Sequence, residues 1–216
     1  MSHTPIGILG GTFNPIHNGH LAVAEAALAL GLSKIHIVPA RQPPHRPLPD
    51  TSAAHRVTMV QLAIQDCPQL YLDLQEQQRE GPSYMIDTLK SLRKTYGPAA
   101  PLCLLLGIDA LQNLDNWHQW RSLLDYAHII GFSRPGYPFI LPQTLFPITS
   151  HRVPSITPCL YSPCGALYQH ACQTPSISAS LLRTMLHQGD RSGAKAYLPK
   201  LVYNYIVKHH LYQNKP

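Results

Sequence analysis

His17 and His20 stand three residues apart in the segment Gly10-Gly-Thr-Phe-Asn-Pro-Ile-His-Asn-Gly-His20. At that spacing on the first turn of a helix, both imidazoles face one side. They can then donate hydrogen bonds to a single phosphoryl group as its charge shifts during a reaction. Gly10 and Gly11 let the backbone approach a ligand and expose N–H groups to phosphate. Gly19 opens the helix, whose N-terminus adds unpaired donors and partial positive charge. The Walker lysine is absent, and the glycine spacing is not the G-x-G-x-x-G of dinucleotide oxidoreductases. One histidine alone is most often a surface or core residue. Two of them in a strand–loop–helix with three glycines point to phosphate chemistry.

Other residues could extend such a site. Arg183 follows Ser178 and Ser180 at a helix start, and its fork of donors suits phosphate oxygens. Asp109 follows Gly107 after an apolar run; a carboxylate there can accept both hydroxyls of a ribose or cap a helix. His45 and Arg46, on a proline-rich loop, and Arg134, beside Pro135-Gly136, suit a phosphate as well as solvent. Trp117 and Trp120 are the only tryptophans, and their spacing fits ordinary packing. Cys159, Cys164, His170 and Cys172 contain no C-x-x-C pair, so no zinc site is assigned and no protein-held metal is expected.

Positioning these groups requires a scaffold, and the chain alternates strand and helix patterns. Ile6–Leu9, 34–38, 70–74, 102–106 and 127–131 read as strands. Between them, helices start at Gly19, after Asp50-Thr-Ser52 and at Ser83. The second of these is expected to turn Val57, Val60 and Ile64 inward. This alternation predicts a doubly wound, Rossmann-like α/β fold with a parallel sheet of five to six strands. Ligands bind such sheets where strands end and helices begin. Residues 134–176 lack periodicity and are expected to be irregular, with one short strand near Pro158–Tyr161. Two helices, Ser178–His187 and Pro199–His209, close the chain. No linker or repeat divides it, so residues 1–216 read as one domain.

Composition excludes several classes. The 216 residues are 44% hydrophobic and 13% charged, with 21 scattered prolines, which excludes disorder and fibrous repeats. The net charge of +6 comes from dispersed basic residues. Without a basic run or basic–aromatic alternation, a small phosphorylated ligand explains it as well as a polymer does. No apolar run reaches the length of about 20 residues needed to span a bilayer. The start lacks a signal peptide, and five cysteines are an odd number. A cytoplasmic protein with reduced thiols is expected.

The ordered motifs resemble a known family over nearly the whole chain. The Gly10–His20 segment is similar to the T/H-x-G-H signature of the nucleotidyltransferase superfamily. Within it the chain resembles the bacterial nicotinate-nucleotide adenylyltransferases of NAD biosynthesis. Pro43-Pro-His-Arg46 resembles their P-P-H-K/R loop, and Gly81-Pro-Ser-Tyr84 with Asp87-Thr-Leu89 their S-Y-x-x-D-T-L segment. Gly107-Ile-Asp109, Trp117-His-Gln-Trp120 and Arg134-Pro-Gly136 resemble the G-x-D, W-x-x-W and R-P-G elements. Ile177–Arg183 resembles the second signature, I-S-S-T-x-I-R, and Tyr205-Ile206 with Leu211-Tyr212 the family's C-terminus. The chain departs at two places: Asn14 stands for a common Asp, and Ala179-Ser180 for Ser-Thr.

The resemblance implies adenylyl transfer from ATP to nicotinate mononucleotide, with pyrophosphate released. It makes His17, His20 and Arg183 the catalytic groups. ATP is then expected at Gly10, Gly11, Thr12, Phe13, Gly19, Gly107, Asp109, Arg134, Ser178 and Ser180. The mononucleotide is expected at His45, Arg46, Tyr84, Met85, Ile86, Thr88 and Trp117. Trp117 would stack on the pyridine, and backbone N–H groups near Met85 and Ile86 would take its carboxylate. Mg²⁺ is expected as the cofactor, bound with the phosphates of ATP. No nucleic acid polymer and no membrane are expected as partners, and a homo-oligomer is compatible with the sequence. Two other functions share parts of the pattern. Pantetheine-phosphate adenylyltransferases and cytidylyltransferases carry the paired histidines but lack the Ser83-Tyr84 and Trp117 elements. A nucleotide-binding protein without catalysis would not need His17, His20 and Arg183 intact.

Overall fold

The computed structural model describes residues 4–43, 49, 51–133 and 139–213. The apolar runs become strands because both of their faces are covered. Ile8, Leu102, Leu104, Leu105, Ile129 and Ile130 are all wholly buried. The strands are β1 (Ile6–Gly11), β2 (Lys34–Pro39), β3 (Leu70–Leu72), β4 (Leu102–Gly107), β5 (His128–Ser133), β6 (Arg152–Val153) and β7 (Leu167–Ala171). They form one sheet in the order β3-β2-β1-β4-β5-β7-β6, and every pairing is parallel. The order reverses between β1 and β4. A crevice at the C-terminal ends of those two strands is the expected ligand position in such a sheet.

The helices are α1 (Asn18–Ala29), α2 (Ala53–Ile64), α3 (Gln75–Gln78), α4 (Met85–Tyr96), α5 (Ile108–Gln112), α6 (Leu123–Tyr126), α7 (Phe146–Thr149), α8 (Thr157–Tyr161), α9 (Ala179–His187), α10 (Arg191–Tyr197) and α11 (Lys200–Lys208). Apolar residues of α1, α2, α9, α10 and α11 build one core cluster, which includes Ile35 and Ile37 of β2. Those of α4, α5 and α6 build a second, which includes Ile8 of β1 and Val38 of β2. The two clusters are the two covered faces of a doubly wound sheet. The helix α1 ends as its sequence requires, with Gly31 at φ +104 just beyond the last turn.

The sheet has seven strands, two more than the five clear apolar runs. The additions, β6 and β7, lie in the stretch expected to be irregular. Pro158–Tyr161, expected as a strand, is helix α8, with proline in its first turn, where its missing N–H costs nothing. Three helices rather than two close the chain. The third, α10, starts at Asp190, whose carboxylate accepts the Gly193 N–H at 2.9 Å.

Helix α4 is held at both ends. At its C-terminal end Arg93 donates to the carbonyls of Gly97, Ala100, Tyr126 and Pro163. Its last residue, Tyr96, meets β2, where the hydroxyl contacts His36 Nε2 at 2.9 Å and accepts from Lys34 Nζ at 3.0 Å. His36 Nδ1 in turn lies 2.9 Å from Asp73. Burial raises the Asp73 carboxyl, but hydrogen bonds from His36 and Gln75 outweigh it and hold the group below its ordinary value.

Candidate active site

The loop from Gly10 to Ile16, the candidate phosphate loop, delivers the chain into α1. Gly10 lies close under the terminal methyl of Met85, so a side chain there would push that methyl aside at the start of α4. Phe13 sits at φ +47, a sparsely populated backbone region for a bulky residue. Its ring is buried at 2% exposure and meets His20 edge-on with centroids 5.0 Å apart. Phe13 thus supports His20 from below. His17 is the N-cap of α1, in extended backbone. His17 and His20 stack, with ring centroids 3.7 Å apart and planes 29° apart.

Burial lowers the His17 imidazole to about 4. It holds His20 well below its ordinary value, and the neighbouring His17 adds to that effect. Both rings are therefore neutral at pH 7. His17 Nδ1 is buried without a hydrogen-bond partner, and a buried polar atom in that state normally marks a place for a ligand or water.

The second signature arrives from α9. Ser178 caps that helix by accepting the Leu181 N–H at 3.1 Å. Arg183 donates to the Asn14 backbone carbonyl at 2.9 Å and to Ser180 Oγ at 3.3 Å. The departure at Asn14 also has an explanation in the structure. Its side-chain oxygen accepts from the buried Tyr212 hydroxyl at 2.7 Å. An amide meets that phenol without placing a charge in a buried position. Burial pushes the Tyr212 phenol up to about 12, so it stays a neutral donor.

Helix α4 brings the third group. Its first intrahelical bonds run from Asp87 and Thr88 to the Tyr84 carbonyl. The N–H groups of Met85 and Ile86 thus belong to the unpaired first turn. The Tyr84 ring stacks on His118 with centroids 4.2 Å apart, which joins α4 to the Trp117 segment. Trp117 is half-buried and Trp120 is core, at 7% exposure. Thr88 requires a correction: expected to line the pocket, it is wholly buried, and its hydroxyl donates to Glu76 at 2.6 Å. It braces α4 from beneath. Burial raises the Glu76 carboxyl, against hydrogen bonds from Thr88 and Ser83 and the charge of Arg79.

Gly107 and Asp109 reach the same sheet edge through pairing of β4 with β1. The N-cap of α5 is Gly107, not Asp109, which lies exposed in the first turn. His45, Arg46 and Arg134 lie outside the described residues. Among the described residues, no group of three or more His, Cys, Asp or Glu side chains is placed to hold a metal ion. No described helix is long and apolar enough to cross a membrane.

Sequence reasoning missed four residues that shape this site: Arg56, Glu76, His118 and Tyr212. His118 lies inside the W-x-x-W element and Tyr212 inside the C-terminal motif, so their neighbourhood carried a signal. Arg56 and Glu76 carried none, being charged residues in helices where charge normally means solvent.

Comparison with known proteins gives the family and the fold. Residues 8–185 match the cytidylyltransferase-like family model. The chain is 40% identical over 215 residues to a probable nicotinate-nucleotide adenylyltransferase of Dechloromonas aromatica, covering 97% of this chain and 98% of that one. It is also 40% identical over 209 residues to the nicotinate-nucleotide adenylyltransferase of Salmonella typhimurium, covering 95% and 97%. The fold is similar to that of Plasmodium falciparum nicotinic acid mononucleotide adenylyltransferase complexed with NaAD, at a TM-score of 0.76 and 23% identity, covering 97% and 98% of the two chains. With the paired histidines at the head of α1 and Arg183 returned to the phosphate loop, the chain belongs to the cytidylyltransferase-like family, among its nicotinate-nucleotide adenylyltransferases.

Proposed function

We infer that this protein transfers the adenylyl group of ATP to nicotinate mononucleotide in NAD biosynthesis. The observation that carries this reading is the stacked His17–His20 pair, with an unpartnered buried nitrogen, at the head of α1. The acceptor's phosphate oxygen is ionised at neutral pH and needs no general base. It attacks the α-phosphorus, a new P–O bond forms, and the bond to the β-phosphate oxygen breaks, with its electrons leaving on pyrophosphate. Catalysis then consists of positioning and charge stabilisation. Neutral His20 and His17 donate to the α-phosphate, and Arg183 takes the β- and γ-phosphates. Asp109 accepts the ribose hydroxyls.

For the acceptor, the Met85 and Ile86 N–H groups suit a pyridine carboxylate, and Trp117 offers a stacking face. Mg²⁺, bound with ATP's phosphates, would supply charge neutralisation there. Such a metal needs few protein ligands, and the described residues carry no cluster of three or more His, Cys, Asp or Glu to hold it. The whole chain acts as one domain, because the C-terminal helices complete the phosphate site. The five cysteines are free thiols, which fits a reducing cytoplasm.

The test is pyrophosphate release with ATP and Mg²⁺ against nicotinate mononucleotide, nicotinamide mononucleotide and phosphopantetheine. Nicotinate mononucleotide should give the highest kcat/KM. Phosphopantetheine as the best acceptor would sink the assignment.

A further inference from the structure

Arg56 is 1% exposed on α2, a position at which arginine is rarely found. Its Nη1 donates to the carbonyls of Thr12 at 2.7 Å and Ala40 at 2.6 Å, and its Nη2 to that of Arg41 at 3.1 Å. Thr12 belongs to the phosphate loop. Ala40 and Arg41 follow β2. The Ala40 N–H also donates to the Gly11 carbonyl at 2.9 Å. One guanidinium thus fastens together the two segments that leave β1 and β2.

The second segment leads on to α4. Ser83 Oγ accepts the N–H groups of Arg41 at 3.0 Å and Gln42 at 3.2 Å, and the Ser83 N–H returns to the Gln42 carbonyl at 2.9 Å. Ser83 directly precedes Tyr84, the N-cap of α4. The chain of contacts runs from the phosphate loop through Arg56 to the helix end that receives the acceptor. Arg56 itself is held by neutral carbonyls, and its Nε has no partner. Among the described residues the ion pairs involve only His36–Asp73 and Arg79–Glu76. A buried cation met only by dipoles is costly to fold around, and the arrival of a polyanionic ligand at Thr12 would offset that cost.

We propose, resting on the adenylyl-transfer reading, that Arg56 is a positioning residue for the reaction: it sets the phosphate loop against the acceptor helix and lends its buried charge to the triphosphate. The guanidinium's hydrogen bonds all go to backbone carbonyls, so its role is exerted through the loops. A lysine keeps the charge, but its single compact ammonium does not reproduce the two separate nitrogens through which Arg56 reaches these carbonyls.

Arg56→Lys and Arg56→Met separate the two contributions, and both keep the aliphatic stem. Each variant is assayed well below its own melting temperature, alongside binding of a non-reactive α,β-methylene ATP analogue. Arg56→Lys should lose about tenfold or more in kcat through misplacement of the loops, with analogue affinity nearly intact. Arg56→Met should lose both. Sucrose, which strengthens burial, should raise the melting temperature of either variant without restoring kcat. Folded variants whose kcat and analogue affinity match the parent would overturn the proposal, as would recovery of kcat in step with stability. Should neither variant fold, arginine side-chain NMR of the unsubstituted protein decides. Proton exchange at Arg56 should slow when the analogue binds, and unchanged exchange overturns the role. A parent protein that makes no dinucleotide sinks the reaction itself. An active parent with unaltered variants sinks only Arg56.

Discussion

His20 accepts the backbone N–H of His17 on its Nδ1 at 3.2 Å. The neutral ring must therefore carry its proton on Nε2, which makes that atom a donor for phosphate. His20→Ala removes the donor but leaves the glycine loop and the helix terminus. The expected loss is about 10²–10³ in kcat with a modest change in ATP affinity. His20→Gln, which carries an amide near the Nε2 position, should retain more activity than His20→Asn. A near-normal kcat with ATP binding abolished would show that His20 serves ground-state binding instead.

The acid side of the stability profile should carry the mark of His17. Its pKa is about 4 in the folded protein against 6.5 ordinarily. Between those values the unfolded chain binds the proton and the folded one does not, so stability falls as pH drops from 6.5 to 4. The effect of this one group amounts to about 3 kcal/mol over the window. Denaturant titrations of the parent and His17→Gln at pH 7 and pH 4.5 measure it. Equal pH sensitivity of the two proteins would contradict the assignment.

Trp117→Ala should raise KM for the mononucleotide, with a loss of roughly 1–3 kcal/mol by analogy with base–aromatic stacking. KM for ATP should change little. The ring is half-buried, so the melting temperature should fall less than for Trp120→Ala. Matching rises in both KM values together with a large stability loss would reassign Trp117 to the core.

Thr88→Val keeps the shape of the side chain and takes away the donor to Glu76. Leaving that buried acceptor short of a partner should cost about 1–3 kcal/mol of stability, read from urea unfolding. Below the melting transition, KM for the mononucleotide should hardly move. A raised KM with unchanged stability would place Thr88 back against the ligand.

Much of this fold was legible in the sequence because its central strands are apolar on both faces and its main helices carry clear punctuation. Glycine after α1, Ser52 before α2 and Ser178 before α9 all act as the sequence implies. The outer half of the sheet was not legible. Leu167 of β7 is buried, but Tyr168, Gln169 and His170 are only half-covered at the margin, so neither continuity nor alternation marks the strand. The candidate phosphate motif was readable because its glycines and histidines lie together in one short segment. Arg56 was not. Helix α2 is rotated so that Arg56, Met59, Val60 and Ile64 face inward, while Val57 lies at the margin. That rotation buries Met59, Val60 and Ile64, and three carbonyls brought from elsewhere in the chain let it bury Arg56 as well.

Arg183 rests on the Asn14 carbonyl and Ser180 Oγ. A free arginine side chain carries about 2 kcal/mol of rotamer entropy, and much of that has been given up during folding. On the proposed reading, an incoming triphosphate would therefore exchange two neutral acceptors for charged oxygens without first having to still a mobile chain. Its capture should be rapid and only weakly opposed by entropy, a thermodynamic signature that a loosely held arginine at the same position would not share.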